Sequence, residues 1–307
     1  MRVAAIGRTS WLLNAVKRIA ERGHEIPVVW TCEGSAHYDV KESDFEELAQ
    51  SQNAVFVDEI AINSPENIKR LAGFGCDIAV SVNWATVLTP AVMEIFKYGI
   101  LNAHAGDLPR YRGNACVNWA IRNGESEVGL CIHEMVEALD AGRVVVRDRL
   151  SIDDSTYVND IYDWMLRRVP DMFVEAIEGL DKGTLNTEPQ ADDPGKALRC
   201  FPLRPEDSRI DWSLTATEIL RVIRSSSDPF PGAHCLLELD RNVTIWRARR
   251  YEYPSPFNAI PGQVCLNDAD GPVIACGEGM VLLEKVSVDG AESGKKAIGK
   301  SLRNRLT

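Results

Sequence analysis

Apolar, β-branched runs alternate with helix-forming stretches along the first third of the chain, and this alternation restricts the fold more than any other feature. Residues 2–6 form the first run. It is followed by Gly7-Arg8-Thr9-Ser10 and then by Leu12, Leu13, Val16, Ile19 and Ala20, which recur at helical spacing up to Arg22. That spacing predicts an amphipathic helix with Gly23 as its C-cap. A second run occupies residues 26–31. Ser64-Pro65 and Thr89-Pro90 pair a capping residue with a first-turn proline, a pattern that opens helices, the second predicted to run through Phe96. Residues 79–82, then Ile100 and Leu101, suit buried parallel strands. The whole predicts an α/β architecture. The opening βαβ unit lacks G-x-G-x-x-G, which gives nicotinamide or flavin binding little support. Thr9 and Ser10 could face a ligand, although N-capping explains both at least as well.

Polar residues enter where the last of these runs ends. In the stretch 99–113, GILNAHAGDLPRYRG, alternation puts Asn102 and His104 on one side of an extended chain and Ala103 on the other. Ligands in open α/β sheets bind at the carboxyl ends of strands. Taken alone, the pair is as readily a turn cap and a satisfied interior histidine. A carboxylate appears in a similar setting downstream, where Asp140 lies in a Gly-containing turn before the β-branched residues 144–146.

Charge and cysteine usage narrow the function classes. The net charge is −11, and no basic patch is visible of the kind that many phosphate contacts require. Between residues 32 and 50, Glu33, Asp39, Glu42, Asp44, Glu46 and Glu47 face only Lys41; this is an acidic surface or simply a solvated helix face. Eight scattered cysteines include no C-x-x-C pair, which predicts reduced thiols, a cytoplasmic location and no zinc site. No apolar run is long enough to span a membrane, and the N-terminus does not read as a signal peptide.

Beyond residue 114, a helix is predicted over 115–123, a strand over 130–133 and a long helix capped near Asp154 or Ser155 that carries Ile161, Trp164, Met165, Val169, Met172, Phe173 and Ile177. Pro170 is expected to bend or divide it. Residues 185–205 are rich in Pro, Asp and Gly and read as a connector. Thr215-x-x-Glu218 is a capping box opening a further helix. Short strands follow at 233–239, 243–248, 263–266, 273–275 and 280–286, and their Asp-Gly and Gly turns predict a small barrel.

Asn102-x-His104, then Leu108-Pro109-Arg110-Tyr111-Arg112-Gly113, then Leu139-Asp140-Ala141-Gly142 together resemble the signature of the folate-dependent formyltransferases. The wider similarity is to the formyltransferase half of the enzyme that modifies UDP-4-amino-4-deoxy-L-arabinose. It extends to RPEDSRIDWS, SSSDPFPGAH, VTIWRARR and VIACGEGMVLLE, although Gly106-Asp107 depart from the usual residues before Leu-Pro, and the dehydrogenase half has no counterpart. The resemblance implies a Rossmann-like catalytic domain at 1–184, a linker at 185–204 and an OB-like β-barrel domain at 205–307. It implies N10-formyltetrahydrofolate as cosubstrate, no metal, and formyl transfer to a primary amine. Asn102 is then the oxyanion donor, His104 the base, and Asp140 the group that orients His104 or relays its proton. Asn83, Trp84, Leu88, Leu108 and Arg112 are implied for folate binding, with Trp84 equally suited to the core and Arg112 to a surface ion pair. His133 receives no chemistry from the motif and is read as structural. The expected acceptor is a nucleotide-linked amino sugar, with no nucleic acid or membrane partner and a homodimer compatible with the sequence. Methionyl-tRNA is the alternative acceptor, supported by the appended barrel and Gly294-Lys295-Lys296-Ala297 and opposed by the acidic stretch. A folate-binding paralogue without turnover is the remote one.

Overall fold

A computed structural model describes all residues except 35–37, 192 and 293. Part of the acidic stretch therefore lies outside the described residues. In chain order the elements are β1 (Arg2–Gly7), α1 (Ser10–Glu21), β2 (Glu25–Thr31), α2 (Glu42–Ser51), β3 (Val55–Asp58), α3 (Pro65–Ala72), β4 (Ile78–Val82), α4 (Pro90–Met93), β5 (Ile100–His104), β6 (Arg112–Gly113), α5 (Cys116–Asn123), β7 (Glu127–Glu134), β8 (Val144–Ser151) and α6 (Val158–Asp181). They continue with β9 (Arg199–Cys200), α7 (Ala216–Ser226), β10 (Ala233–Leu237), β11 (Arg241–Tyr251), β12 (Val264–Asn267), β13 (Pro272–Ala275), β14 (Met280–Val288) and α8 (Gly294–Ile298).

The chain divides into two compact units. One comprises 1–116, 127–151 and 162–200; the other comprises 117–126, 152–161 and 201–307. The first holds a seven-stranded sheet ordered β3-β2-β1-β4-β5-β7-β8. Its first five strands run parallel, whereas β7 and β8 are antiparallel additions. Strands β1 and β4 are buried almost throughout, the burial expected of parallel strands covered on both faces.

Two local expectations are corrected. Helix α6 is continuous for 24 residues with Pro170 inside it. An interior proline costs a helix roughly 3 kcal/mol, and full burial of Val169, Met172, Phe173 and Ile177 around it outweighs that loss. Thr9 occupies the N-cap position of α1 but makes no side-chain capping bond, and its buried hydroxyl has no partner among the described residues.

In the second unit, β10-β11-β14-β13-β12 form an antiparallel sheet, close to the strands predicted. Residues 304–307 join its edges. Leu306 pairs with Leu237 of β10, and Arg305 pairs with Gln263 beside β12. The sheet thereby closes into an OB-like barrel around Cys235, Leu237, Val243, Ile245, Val281 and Leu283, packed against Ile219 and Ile223 of α7.

Candidate active site

Register assembles the site before any loop contributes. Ser81 of β4 lies beside Asn102 of β5, and Asn102 lies opposite His133 of β7, so three polar side chains form one row across adjacent strands. Ser81 is wholly buried, and its hydroxyl has no partner among the described residues. His104, two residues on from Asn102, shares that face. The Asn102–His104 spacing was legible in the sequence, whereas His133, set aside there as structural, proves to touch the cluster. The sequence shows a lone imidazole in an apolar strand, and only the pairing of that strand with the one carrying Asn102 brings it to the cluster.

Hydrogen bonds fix the tautomers. His133 Nδ1 donates to the carbonyl of Glu134 at 2.9 Å, which leaves Nε2 to accept from Asn102 Nδ2 at 3.1 Å. Burial, with His104 nearby adding to it, pushes the His133 imidazole down to about 4, so the ring is neutral at physiological pH. The two imidazoles meet edge to face with centroids 5.9 Å apart. His104 Nε2 donates to the carbonyl of Tyr111 at 2.6 Å, which turns Nδ1 toward Asp140 Oδ2 at 3.6 Å. The same Asp140 oxygen accepts the Gly113 N–H at 2.7 Å, and Asp140 Oδ1 lies 3.7 Å from His133 Nε2.

Special backbone conformations surround this cluster. Asn83, Tyr111, Ala115 and Asp140 all have positive φ, between 49° and 59°, a region that costs most residues energy and is concentrated at functional sites. Gly106 is required by close approach, since a Cβ there would lie 2.4 Å from the Tyr111 carbonyl and 2.7 Å from His104 Nε2. Next to it, Asp107 is held by Arg147 and Arg149 of β8. The Gly106-Asp107 departure from the usual motif thus has a local account: glycine clears the histidine, and the carboxylate anchors the loop. Cys116 Sγ also donates to the Tyr111 carbonyl, at 2.9 Å, and the neighbouring Cys200 together with burial raises its thiol far above the ordinary range.

The residues expected to bind folate serve other contacts. Leu88 and Leu108 are each 1% exposed and belong to core clusters, so what they offer a ligand is backbone. Trp84 packs against the cluster containing Leu88, and its Nε1 donates to Thr86. The Asn83 carbonyl accepts from Arg8. Arg112 Nε and Nη2 both donate to Gln190 Oε1, at 3.0 and 2.6 Å. Val87 and Leu139, on the loops after β4 and β7, are exposed. Among the described residues no group of three or more His, Cys, Asp or Glu is placed to hold a metal ion, and no helix is long and apolar enough to cross a membrane.

The formyl transferase family matches residues 1–177, and the formyl transferase C-terminal domain matches residues 202–301. A methionyl-tRNA formyltransferase of Methylobacterium nodulans is 30% identical over 311 aligned residues, covering 99% of this chain and 96% of that protein. Among solved structures, the sugar 3N-formyltransferase WlaRD, crystallised with dTDP and 5-N-formyl-tetrahydrofolate, aligns with a TM-score of 0.65 at 17% identity over 92% of this chain and 97% of its own. HypX from Aquifex aeolicus in complex with tetrahydrofolic acid aligns with a TM-score of 0.65 at 21% identity; the match covers 93% of this chain but only 44% of HypX. The chain belongs to the formyl transferase family, whose folate-dependent enzymes transfer one carbon from N10-formyltetrahydrofolate.

Proposed function

We propose that Asn102, His104 and Asp140 carry formyl transfer to a primary amine. The observation that supports this most is the His104 geometry: with Nε2 tied to the Tyr111 carbonyl, a proton taken from the attacking amine arrives at Nδ1, facing the Asp140 carboxylate. N10-formyltetrahydrofolate supplies the formyl group when bound and departs as tetrahydrofolate, its N10 taking up the proton that His104 removes from the amine. One amide hydrogen of Asn102 is held by His133, and the other is available to the formyl oxygen as negative charge develops there; such a donor is worth about 10²–10³ in rate. Asp140 accepts the Gly113 N–H and so keeps its carboxylate oriented while it stabilises the protonated imidazole.

The sequence relatives favour methionyl-tRNA as the acceptor, since a methionyl-tRNA formyltransferase aligns over 99% of the chain. A second reading, a nucleotide-linked amino sugar, is favoured by charge. The chain carries −11, and the arginines of β11 are already engaged: Arg241 with Asp289, Arg249 with Asp270 and Glu284, Arg250 with Glu252, and Arg247 over the Tyr157 ring. Gripping the many phosphates of a tRNA backbone needs many available cations, whereas a sugar nucleotide presents one diphosphate. The deciding experiment measures tetrahydrofolate release from N10-formyltetrahydrofolate with methionyl-tRNA, with UDP-, dTDP- and GDP-linked amino sugars, and with no acceptor. Turnover with tRNA supports the first reading, turnover with one sugar the second, and release without acceptor or with none of them overturns both.

A further inference from the structure

The segment after α6 reaches the polar cluster through one side chain. Gln190 Nε2 donates to the carbonyls of Asp140 and Gly142, each at 2.7 Å, while its Oε1 accepts both bonds from Arg112. Every polar group of the amide is thereby used, on a turn whose backbone has few alternatives. Asp140 sits at φ +49°, and a Cβ on Gly142 would lie 1.8 Å from the Glu134 carbonyl. The segment itself is pinned on both sides. Glu188 exchanges backbone hydrogen bonds with Val144 at 2.8 and 2.7 Å, and β9 pairs with β6 through Arg112 and Gly113.

We propose that Gln190 is a positioning residue that sets the Asp140 carboxylate against His104 Nδ1 and the Gly113 N–H. The inference rests on the catalytic reading of Asp140. Gln190 bonds to the backbone of Asp140 and not to its carboxylate, so its effect on rate passes through the placement of that residue. Without the two N–H donors, the carbonyls of residues 140 and 142 lose their shared partner, and the positive-φ turn loses the bond that holds it. A displacement of about 1 Å in a reacting group can cost about 10² in rate.

The test is a double-mutant cycle. Gln190→Met keeps side-chain length without polar atoms. Gln190→Glu keeps an acceptor for Arg112 but removes the donors to the two carbonyls. Each is measured for kcat, for KM toward N10-formyltetrahydrofolate and for thermal unfolding, using whichever of methionyl-tRNA or the nucleotide-linked amino sugars is turned over, in wild-type and Asp140→Asn backgrounds. Both variants are expected to lower kcat about 10–100-fold, with KM and unfolding temperature little changed, and to add less than about twofold in the Asp140→Asn background, since residues acting as a unit are non-additive. An equal loss in both backgrounds overturns the proposal and makes Gln190 a structural stitch. A wild-type rate for Gln190→Glu also overturns it, because the Arg112 bond alone would then suffice. An Asp140→Asn protein with wild-type kcat would instead overturn the catalytic reading of Asp140, and the proposal with it.

Discussion

The end of β5 and the interior of the C-terminal barrel use buried space in opposite ways. At β5, Asn102, His104, His133 and Asp140 face one another at 3.1–3.7 Å, beside residues held at positive φ. In the barrel, Val243, Ile245, Val281 and Leu283 are wholly buried and apolar, and the surrounding backbone is paired around a closed sheet. The first arrangement holds polar groups against one another at some cost to the fold; the second supplies stability through apolar burial. Mutations in the two regions should therefore separate activity from stability.

The largest effect falls on rate alone. His104→Ala is expected to lower kcat by about 10²–10⁴ while the unfolding temperature stays near wild type, because Cys116 Sγ still donates to the Tyr111 carbonyl. Steady-state turnover beside a thermal melt checks this, and a matching loss of stability would break the contrast. Leu283→Ala should do the reverse, costing about 2–5 kcal/mol of unfolding free energy through the cavity it leaves, with kcat retained in urea-free buffer below the melting transition.

The third prediction concerns pH and tests whether the site carries a stability penalty. His133 is held at about 4 against an ordinary value of 6.5. Above about pH 6.5 the ring is neutral folded or unfolded; as pH falls toward 4 the unfolded chain binds the proton first, so stability falls across that window, by about 3 kcal/mol at most. Chemical denaturation at pH 7 and pH 5 should show a steeper loss for wild type than for His133→Gln, and equal losses would mean that the imidazole protonates freely in the folded protein. The smallest effect is Thr215→Ala. Thr215 Oγ1 accepts the Glu218 N–H at 3.2 Å at the start of α7, while the Thr215 N–H donates back to Glu218 Oε2 at 2.9 Å, so loss of the hydroxyl should lower stability by about 1 kcal/mol without changing kcat.

What the sequence made legible follows from the same contrast. Asn102, His104 and Asp140 were visible because their residue types stand out at strand boundaries, and the barrel strands were visible because alternation and glycine turns punctuate them. His133 was passed over because one polar residue in an apolar strand reads as packing until its cross-strand neighbour is known. Gln190 left no signal at all: segment 185–205 has no periodicity, yet residue 190 bonds the backbone of Asp140 across 50 positions of sequence. Pro170 misled in the other direction, since a local rule for breaking helices does not register the apolar surface that α6 buries.

Closure of the barrel by residues 304–307 also sets an order of events during synthesis. Before residues 304–307 are made, Leu237 at the end of β10 lacks its bridge from Leu306, and Gln263 beside β12 lacks its bridge from Arg305. Until that pairing forms, both positions stay open to other strands, the kind of exposure that favours wrong partners during folding.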